Sequence, residues 1–231
     1  TDRIEIAPGR MTVGRAADND VVISAGPDHL GVLDLAPDGA ATFDAGAGPQ
    51  PFQRVPDNPP RRKVGDLRLE RRQVEGVYAL RVRDAAAPAR RDFAGIDSYP
   101  LDPAWRVEAE WLPLAEPQQV DIDLVTGARD QVRITHEARF THDGQQITLL
   151  PTHEKSGKPM FVIRDKTAGA ETYGAARFLI GDVQGDRVVL DFNRAFNPPC
   201  AFTDFAVCPL PVAQNIMPFA IRAGEKKPAG H

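Results

Sequence analysis

Short runs in which apolar and polar residues alternate recur along the whole chain, about every 8 to 12 residues. Prolines and glycines, 21 and 19 in number, interrupt nearly every window that is long enough for a helix. Clear runs include Gly31 to Leu35 and Val77 to Arg83 in the first half, and Gln131 to Phe140 and Ile216 to Ile221 in the second. The pattern predicts an all-β protein with little helix.

A stretch rich in Ala, Pro and Arg, from Asp84 to Ser98, separates these runs into two groups. It shows little periodicity, which is typical of a connector between domains. We therefore expect two domains, residues 1–90 and residues 91–231. The spacing of the first group predicts a β-sandwich, and the second group predicts a barrel-like domain or a second sandwich.

One hairpin in the second half can be specified residue by residue. Asp182 to Asp186 is interpreted as a five-residue loop that places Gly181 opposite Arg187. In that register Arg177 faces Asp191 across the strand pair. Because an arginine and an aspartate so placed can make a bidentate contact, we expect these two side chains to be paired.

Charge and hydropathy exclude several classes of protein. The net charge of -4 and the pI near 5.7 argue against a nucleic-acid partner, because nucleic-acid-binding surfaces are usually basic. The most basic stretch, Arg61 to Arg91, has ten basic and four acidic residues, or 10 − 4 = +6, and is interpreted as a solvated strand face. No apolar run reaches the roughly 20 residues of a membrane span, so we expect a cytoplasmic protein without a membrane partner.

The segment from Asp191 to Pro211 has the most unusual composition. Two asparagines, an arginine, both cysteines and four prolines stand there between apolar residues. Burying a polar group unpaired costs about 1 to 3 kcal/mol, so these side chains either satisfy one another or face a pocket. Both interpretations stay open: a small-molecule site, or a Pro-rich loop held by side-chain hydrogen bonds.

Cysteine and histidine do not predict a metal centre. Cys200 and Cys208 lack a second pair of Cys or His at zinc-binding spacing, so we interpret them as reduced, buried thiols and expect no metal. His136 lies on the apolar side of its predicted strand and is interpreted as a core residue. No phosphate-binding glycine loop, metal-binding helix motif or serine elbow is present, so the sequence assigns neither a reaction nor a cofactor.

Four motifs of the second half occur in a distinctive order: Asp165-Lys-Thr-Ala-Gly-Ala-Glu-Thr-Tyr-Gly-Ala-Ala-Arg-Phe178, Asp191-Phe-Asn-Arg-Ala-Phe-Asn-Pro-Pro-Cys200, Cys208-Pro-Leu-Pro211 and Ala223-Gly-Glu-Lys226. Together they resemble the family named domain of unknown function 1684, over about Phe93 to Lys226. The family supplies no established activity. Ala176 and Phe196 depart from its pattern, where Gly and Tyr are expected. The resemblance implies a polar set made of Glu171, Thr172, Tyr173, Arg177, Asp191, Asn193, Asn197, Cys200, Asn215 and Glu225.

A small polar or anionic ligand bound by most of this set is the leading hypothesis. The ligand-binding residues we expect are Glu171, Tyr173, Arg177, Asp191, Asn193, Asn197, Cys200 and Glu225. Arg177 would anchor an anion, and Glu171 or Glu225 would transfer a proton if the protein is an enzyme, which the sequence leaves open. The alternative is a non-catalytic protein-interaction module in which these polar motifs are structural.

Near the N-terminus, Gly14-Arg15, Asn19 to Ile23 and Asp28-His29 resemble the opening of a forkhead-associated domain, a β-sandwich that binds phosphothreonine. In that family a serine three residues before the histidine grips the phosphate, and here Gly26 occupies its position. The resemblance therefore implies a sandwich that keeps the turn geometry without the phosphopeptide activity.

Overall fold

The computed structural model describes residues 1–56, 58–74 and 76–229. By its internal contacts the chain divides into two compact units, Thr1–Ala94 and Gly95–His231. Strands build both units, which confirms the all-β prediction. The helical pieces of the described chain are short and consist of α1 (Pro88–Arg91) and the 3-10 helices Pro103–Trp105, Phe192–Arg194, Pro199–Ala201 and Ala213–Asn215.

The first unit is a sandwich of two sheets. Its strands are β1 (Asp2–Ile6), β2 (Gly9–Gly14), β3 (Val21–Val22), β4 (Gly31–Leu35), β5 (Ala41–Asp44), β6 (Gln50–Pro51), β7 (Gln53–Val55), β8 (Asn58–Val64), β9 (Leu67–Val74) and β10 (Val77–Asp84). One sheet has the order β1-β10-β9-β8-β7 and the other β3-β2-β4-β5-β6. Both sheets contribute to one buried cluster, with Val13 and Leu33 from one and Leu69 and Leu80 from the other.

A single open sheet forms the second unit. Its strands are β11 (Arg106–Asp123), β12 (Arg129–His142), β13 (Gln145–Leu149), β14 (His153–Lys155), β15 (Lys158–Ile163), β16 (Arg177–Gln184) and β17 (Arg187–Asp191). The order is β13-β12-β11-β17-β16-β15-β14, so β13 and β14 are the edges. The sheet of the described residues is not closed into a barrel, so the barrel-like form expected for residues 91–231 is wrong in this respect.

The chain after β17 covers the sheet in place of further strands. Residues predicted as a strand, Ile216 to Ile221, form only one isolated bridge, between Ile216 and Arg164. Pro218 has no backbone N–H to donate and interrupts any ladder there. Apolar side chains of this segment, such as Met217, instead enter the core on one sheet face.

The β16–β17 hairpin differs from the predicted register. Gln184 pairs with Arg187 and Gly181 with Leu190, so the loop contains two residues, not five. Gly185 has a φ of 65° and opens this tight turn, which suits a turn type with glycine at its first central position. The predicted contact between Arg177 and Asp191 is therefore wrong, because a shift of three residues turns the two side chains to opposite faces.

The observed register gives the sheet two different faces. Leu179 of β16 and Phe161 of β15 point into a core that also holds Phe192 and Ile221. Phe178 and Met160 point to the other face, where they pack with Cys200 and Cys208 of the C-terminal segment. The second face also carries Lys158 of β15, Asp182 of β16, Val189 of β17 and Arg106 of β11. These residues line one of the cavities described below.

Candidate functional site

Arg177 lies in the interior, with 1% of its surface exposed. Its Nη2 donates to Asp165 Oδ2 at 2.8 Å and to the carbonyl oxygen of Ile221 at 3.0 Å. Its Nη1 donates to the carbonyl oxygens of Ala223 and Glu225. The guanidinium therefore holds the C-terminal segment against the sheet through three carbonyl oxygens, those of Ile221, Ala223 and Glu225.

Asp165 is the counter-charge of Arg177 and was not among the predicted ligand-binding residues. Its Oδ1 accepts from the backbone N–H and hydroxyl of Thr167, at 2.8 and 2.6 Å, and from the backbone N–H of Ile221 at 3.1 Å. The Thr167 hydroxyl also contacts that of Thr172 at 2.8 Å. Asp165 is the first residue of the first family motif, so the sequence could have marked it as a candidate. Its pairing with Arg177 could not be predicted, because it depends on the register of β16.

Glu171 sits apart from this buried pair, on the surface. Its carboxylate is gripped by Arg222, whose Nε and Nη2 donate at 2.9 to 3.2 Å, and it accepts from the Tyr99 hydroxyl at 3.0 Å. Hydrogen bonding to Arg222 and Tyr99 lowers the pKa of Glu171. Burial and the bond to Glu171 raise the pKa of Tyr99 to about 12. The carboxylate is thus held ionised, as expected of an ion pair.

Asn193 and Asp191 close a local turn after β17. The Asn193 amide donates to the Asp102 carbonyl oxygen at 2.9 Å and accepts from the Asp102 N–H at 3.0 Å. Asp191 Oδ1 accepts from the Asn193 backbone and side chain, at 3.2 and 3.1 Å. The Asn193 side chain therefore ties the end of β17 to the segment before β11.

Asn197 and Glu225 form a second link to the C-terminal segment. Glu225 Oε2 accepts from the backbone N–H of Asn197 at 2.6 Å, and Asn197 Nδ2 donates to the Lys226 carbonyl oxygen at 2.8 Å. Asn197 Oδ1 is buried and has no hydrogen-bond partner among the described residues. Such an acceptor is uncommon in a native interior.

Tyr173 and Cys200 meet in the apolar cluster on the second sheet face. The Tyr173 hydroxyl donates to the Cys200 carbonyl oxygen at 3.1 Å. Burial, followed by hydrogen bonding to Cys200, raises the pKa of Tyr173 to about 12. Hydrogen bonding from Cys208, and more weakly from Tyr173, outweighs burial and lowers the pKa of the Cys200 thiol to about 7.

Two cavities lie side by side on this face, because Phe196 lines both. We call them the charged hollow and the apolar hollow. The charged hollow, of about 380 Å³, is lined by Arg106, Lys158, Ile180, Gly181, Asp182, Val189, Asp191, Arg194 and Phe196. The apolar hollow, of about 350 Å³, is lined by Glu154, Lys155, Met160, Phe178, Phe196, Asn197, Pro199 and Phe202.

The sequence-predicted residues are thus distributed among several environments. Asp191 lines the charged hollow and Asn197 the apolar hollow. Arg177, Asn193 and Glu225 hydrogen-bond to main-chain groups of the fold, while the Glu171 carboxylate pairs with a surface arginine. The ligand-binding role expected for the eight residues stays a prediction.

Several lining residues were missed by sequence reasoning, namely Arg106, Lys158, Arg194 and Phe196. Arg106 and Lys158 come from strands far apart in sequence, and they meet only because β11, β17, β16 and β15 are neighbours in the sheet. Phe196 was noted in the sequence because the family pattern has a tyrosine at this position. That difference indicates a missing hydroxyl group, and it does not indicate that the ring lines a cavity.

A third cavity, of about 390 Å³, lies at β14 and is lined by Trp111, Arg133, Thr135, Pro151, Thr152, His153, Glu154, Gly157 and Pro159. Burial lowers the pKa of His153 there, and its Nδ1 lies 3.0 Å from the Thr152 hydroxyl.

Within residues 1–56, 58–74 and 76–229, no three His, Cys, Asp or Glu side chains are grouped to hold a metal ion. The same residues include no helix of the length and apolarity that a membrane span requires.

Comparison with known proteins places the second unit in a family. A solution NMR structure of an uncharacterized protein of Haloarcula marismortui is 32% identical, over 63% of this chain and 83% of that chain, with a TM-score of 0.50. No curated protein matches the chain. Residues 91–226, more than half of the chain, match the model of the family described as protein of unknown function, DUF1684. The chain therefore belongs to the DUF1684 family.

Proposed function

We propose that the second unit binds a small amphipathic acid, with its anionic group in the charged hollow and its apolar part in the apolar hollow. The observation that carries this proposal is that Phe196 lines both cavities, so one ligand can pass over its ring. Volumes of about 380 and 350 Å³ lie in the range of small-molecule sites.

The charges around the first cavity favour an anion. Lys158 and Asp182 pair across β15 and β16 at 2.6 Å and so neutralise each other. The Arg194 side chain has no hydrogen bond or ion pair within the part of the chain that the structure describes, although, after the larger effect of the Lys158 hydrogen bond, its charge helps to lower the pKa of Asp182. Arg106 forms an ion pair with Glu108 at 3.6 Å. Three cationic side chains, Arg106, Lys158 and Arg194, therefore line this hollow with two carboxylates, Asp182 and Asp191, and an anionic ligand would balance the remaining positive charge.

The second cavity fits the apolar part of such a ligand. Met160, Phe178 and Phe202 supply apolar surface, and the Lys155 ammonium lies 4.7 Å from the centre of the Phe196 ring. The unpartnered Oδ1 of Asn197 belongs to a residue in the same wall. A ligand that carries a hydroxyl or amide N–H near its middle would satisfy that acceptor after a small adjustment.

Calorimetric titration with sodium octanoate tests this proposal, with sodium acetate as a probe that has the same headgroup and no tail. We expect saturable octanoate binding and much weaker acetate binding. Arg194→Ala should weaken octanoate binding about 10- to 100-fold, because a charged hydrogen bond contributes about 1.5 to 3 kcal/mol. Arg187→Ala is the matched control, since Arg187 is exposed on β17 and lines neither hollow. Equal affinities for octanoate and acetate, or equal losses in the two variants, would contradict the proposal.

A protein-interaction module is the second candidate, and one observation favours it. Arg177, Asn193 and Glu225 are engaged within the fold, as structural motifs would be. The absence of any saturable binding in the titration, with the protein folded, would favour this candidate. In either case we propose a cytoplasmic protein without a nucleic-acid partner, given the net charge of -4.

A further inference from the structure

Cys200 and Cys208 form a buried pair of reduced thiols. Cys200 lies in the 3-10 helix Pro199–Ala201 and is 7% exposed, and Cys208 is 3% exposed. Both pack in one cluster with Met160 and Phe178, and the Cys208 thiol donates a hydrogen bond to the Cys200 sulfur. The two thiols are therefore neighbours within one buried cluster.

The surroundings of Cys200 favour its thiolate. Cys208, Tyr173 and the backbone N–H groups of Cys200 and Ala201 all hydrogen-bond its charged form, and together they lower its pKa to about 7 against the opposing effect of burial. The ionisable groups that act on the pair are Cys208 and Tyr173, with Asp204 acting on Tyr173. A thiolate is the nucleophilic form of cysteine, so Cys200 is the member of the pair that reacts first.

Local hydrogen bonds hold the chain that follows Cys200. The described hydrogen bonds of residues 201–207 are local, from Ala201 N–H to the Pro198 carbonyl, from Phe202 N–H to the Pro199 carbonyl and from Phe205 N–H to the Thr203 hydroxyl. Cys208, in contrast, is anchored, because its carbonyl accepts from Val125 N–H at 2.9 Å. A disulfide would therefore link Cys200 to the anchored Cys208 and close residues 201–207 into a loop.

We propose that Cys200 and Cys208 are a redox-active dithiol that small hydroperoxides oxidise to an intramolecular disulfide. The Cys200 thiolate attacks one oxygen of the peroxide, the O–O bond breaks, and the leaving hydroxide takes a proton to become water. Cys200 is then a sulfenic acid. The Cys208 sulfur then attacks the Cys200 sulfur, the S–O bond breaks, and the departing hydroxide takes the Cys208 proton to leave as water. Both thiols are oxidised, and hydrogen peroxide is reduced to two waters.

This site is separate from the two hollows in its chemistry, but it adjoins one of them. Pro199 and Phe202, on either side of Cys200, line the apolar hollow. Oxidation would therefore move part of that wall. The inference itself does not depend on ligand binding, and its test reads the cysteines directly.

The test is intact-mass and peptide-mass spectrometry of the reduced full-length protein after treatment with hydrogen peroxide. We expect the loss of two hydrogen atoms from the monomer and a cross-linked peptide that joins Cys200 to Cys208. In Cys208→Ser, Cys200 should stop at the sulfenic acid, which a cyclic 1,3-diketone traps. In Cys200→Ser, the remaining thiol should react at least about tenfold more slowly, because it lacks the activated thiolate. Tryptophan emission shows whether each variant is folded.

The pH dependence of Cys200 alkylation gives a second readout that a purely structural pair would not change. In the wild type its midpoint should lie near 7, and in Cys208→Ala, which removes the side-chain donor, it should move toward the roughly 8.5 of an ordinary thiol. Thiols that stay reduced in peroxide, or a disulfide that forms only between two molecules, would overturn the proposal. The wild-type result decides this alone if a variant fails to fold.

Discussion

Arg177→Ala should destabilise the second unit by about 3 to 5 kcal/mol, because it removes one partner of a fully buried ion pair and leaves the Asp165 charge in the interior. The carbonyl oxygens of Ile221, Ala223 and Glu225 lose their donor in the same step. Unsatisfied buried acceptors cost about 1 to 3 kcal/mol each, but these costs share one site and do not add. Even the lower figure is a large part of the about 5 to 15 kcal/mol that stabilises a typical domain.

Urea unfolding followed by tryptophan emission measures this loss. Both tryptophans, Trp105 and Trp111, lie in the second unit, so their emission reports on that unit. Arg187→Ala is the control, because removal of an exposed arginine usually changes stability by no more than about 0.5 kcal/mol. A loss below about 1 kcal/mol for Arg177→Ala, with unchanged dependence on urea, would refute the assignment of Arg177 as the anchor of the C-terminal segment.

Three further predictions concern single contacts. Because Arg222 and Tyr99 lower the pKa of Glu171, its contribution to stability is present above the unfolded pKa and is lost as the pH falls through the folded value. The difference in melting temperature between the wild type and Glu171→Gln should therefore shrink as the pH falls from about 5 to about 3, and a constant difference would contradict this. Asn215→Ala should cost about 2 kcal/mol or more in urea unfolding, since the buried amide bonds both the N–H and the carbonyl of Leu150 at 2.8 and 2.9 Å. Gly224→Ala should lower the melting temperature, because φ is 77° and the new Cβ would lie 2.5 Å from a backbone oxygen, whereas Gly144→Ala, at the same φ in open space, should cost less.

Elements with a strong local signal could be predicted from the sequence. The alternation in Gly31 to Leu35 predicts β4 with the bounds that the structure shows, because every second side chain enters the sandwich core. β11 continues as one strand from Arg106 to Asp123, because the bulge between Pro113 and Gln118 keeps it paired with β12 across an interruption in the alternation. Local periodicity therefore indicates where strands lie, and it is less informative about where they end.

The register of β16 and β17 shows what local periodicity leaves undetermined. A two-residue loop at Gly185 and a five-residue loop around it preserve the same alternating pattern in both strands. The two registers differ in which side chains of β16 lie on the same sheet face as a given side chain of β17, because a shift by an odd number of residues exchanges the faces. The pairing of Arg177 with Asp165, rather than with Asp191, follows from that choice.

The polar motifs of the C-terminal half and the two hollows are parts of one arrangement. Arg177 fixes the carbonyl of Glu225, the Glu225 carboxylate fixes the backbone of Asn197, and Asn197 forms part of the wall of the apolar hollow. The segment has few regular strands to hold it, so side-chain hydrogen bonds must position it. A residue can therefore belong to the family pattern without touching a ligand, because the shape of the wall depends on it. For this reason Arg177→Ala and Arg194→Ala should differ in kind: the first should lower stability and octanoate affinity together, and the second should lower affinity alone.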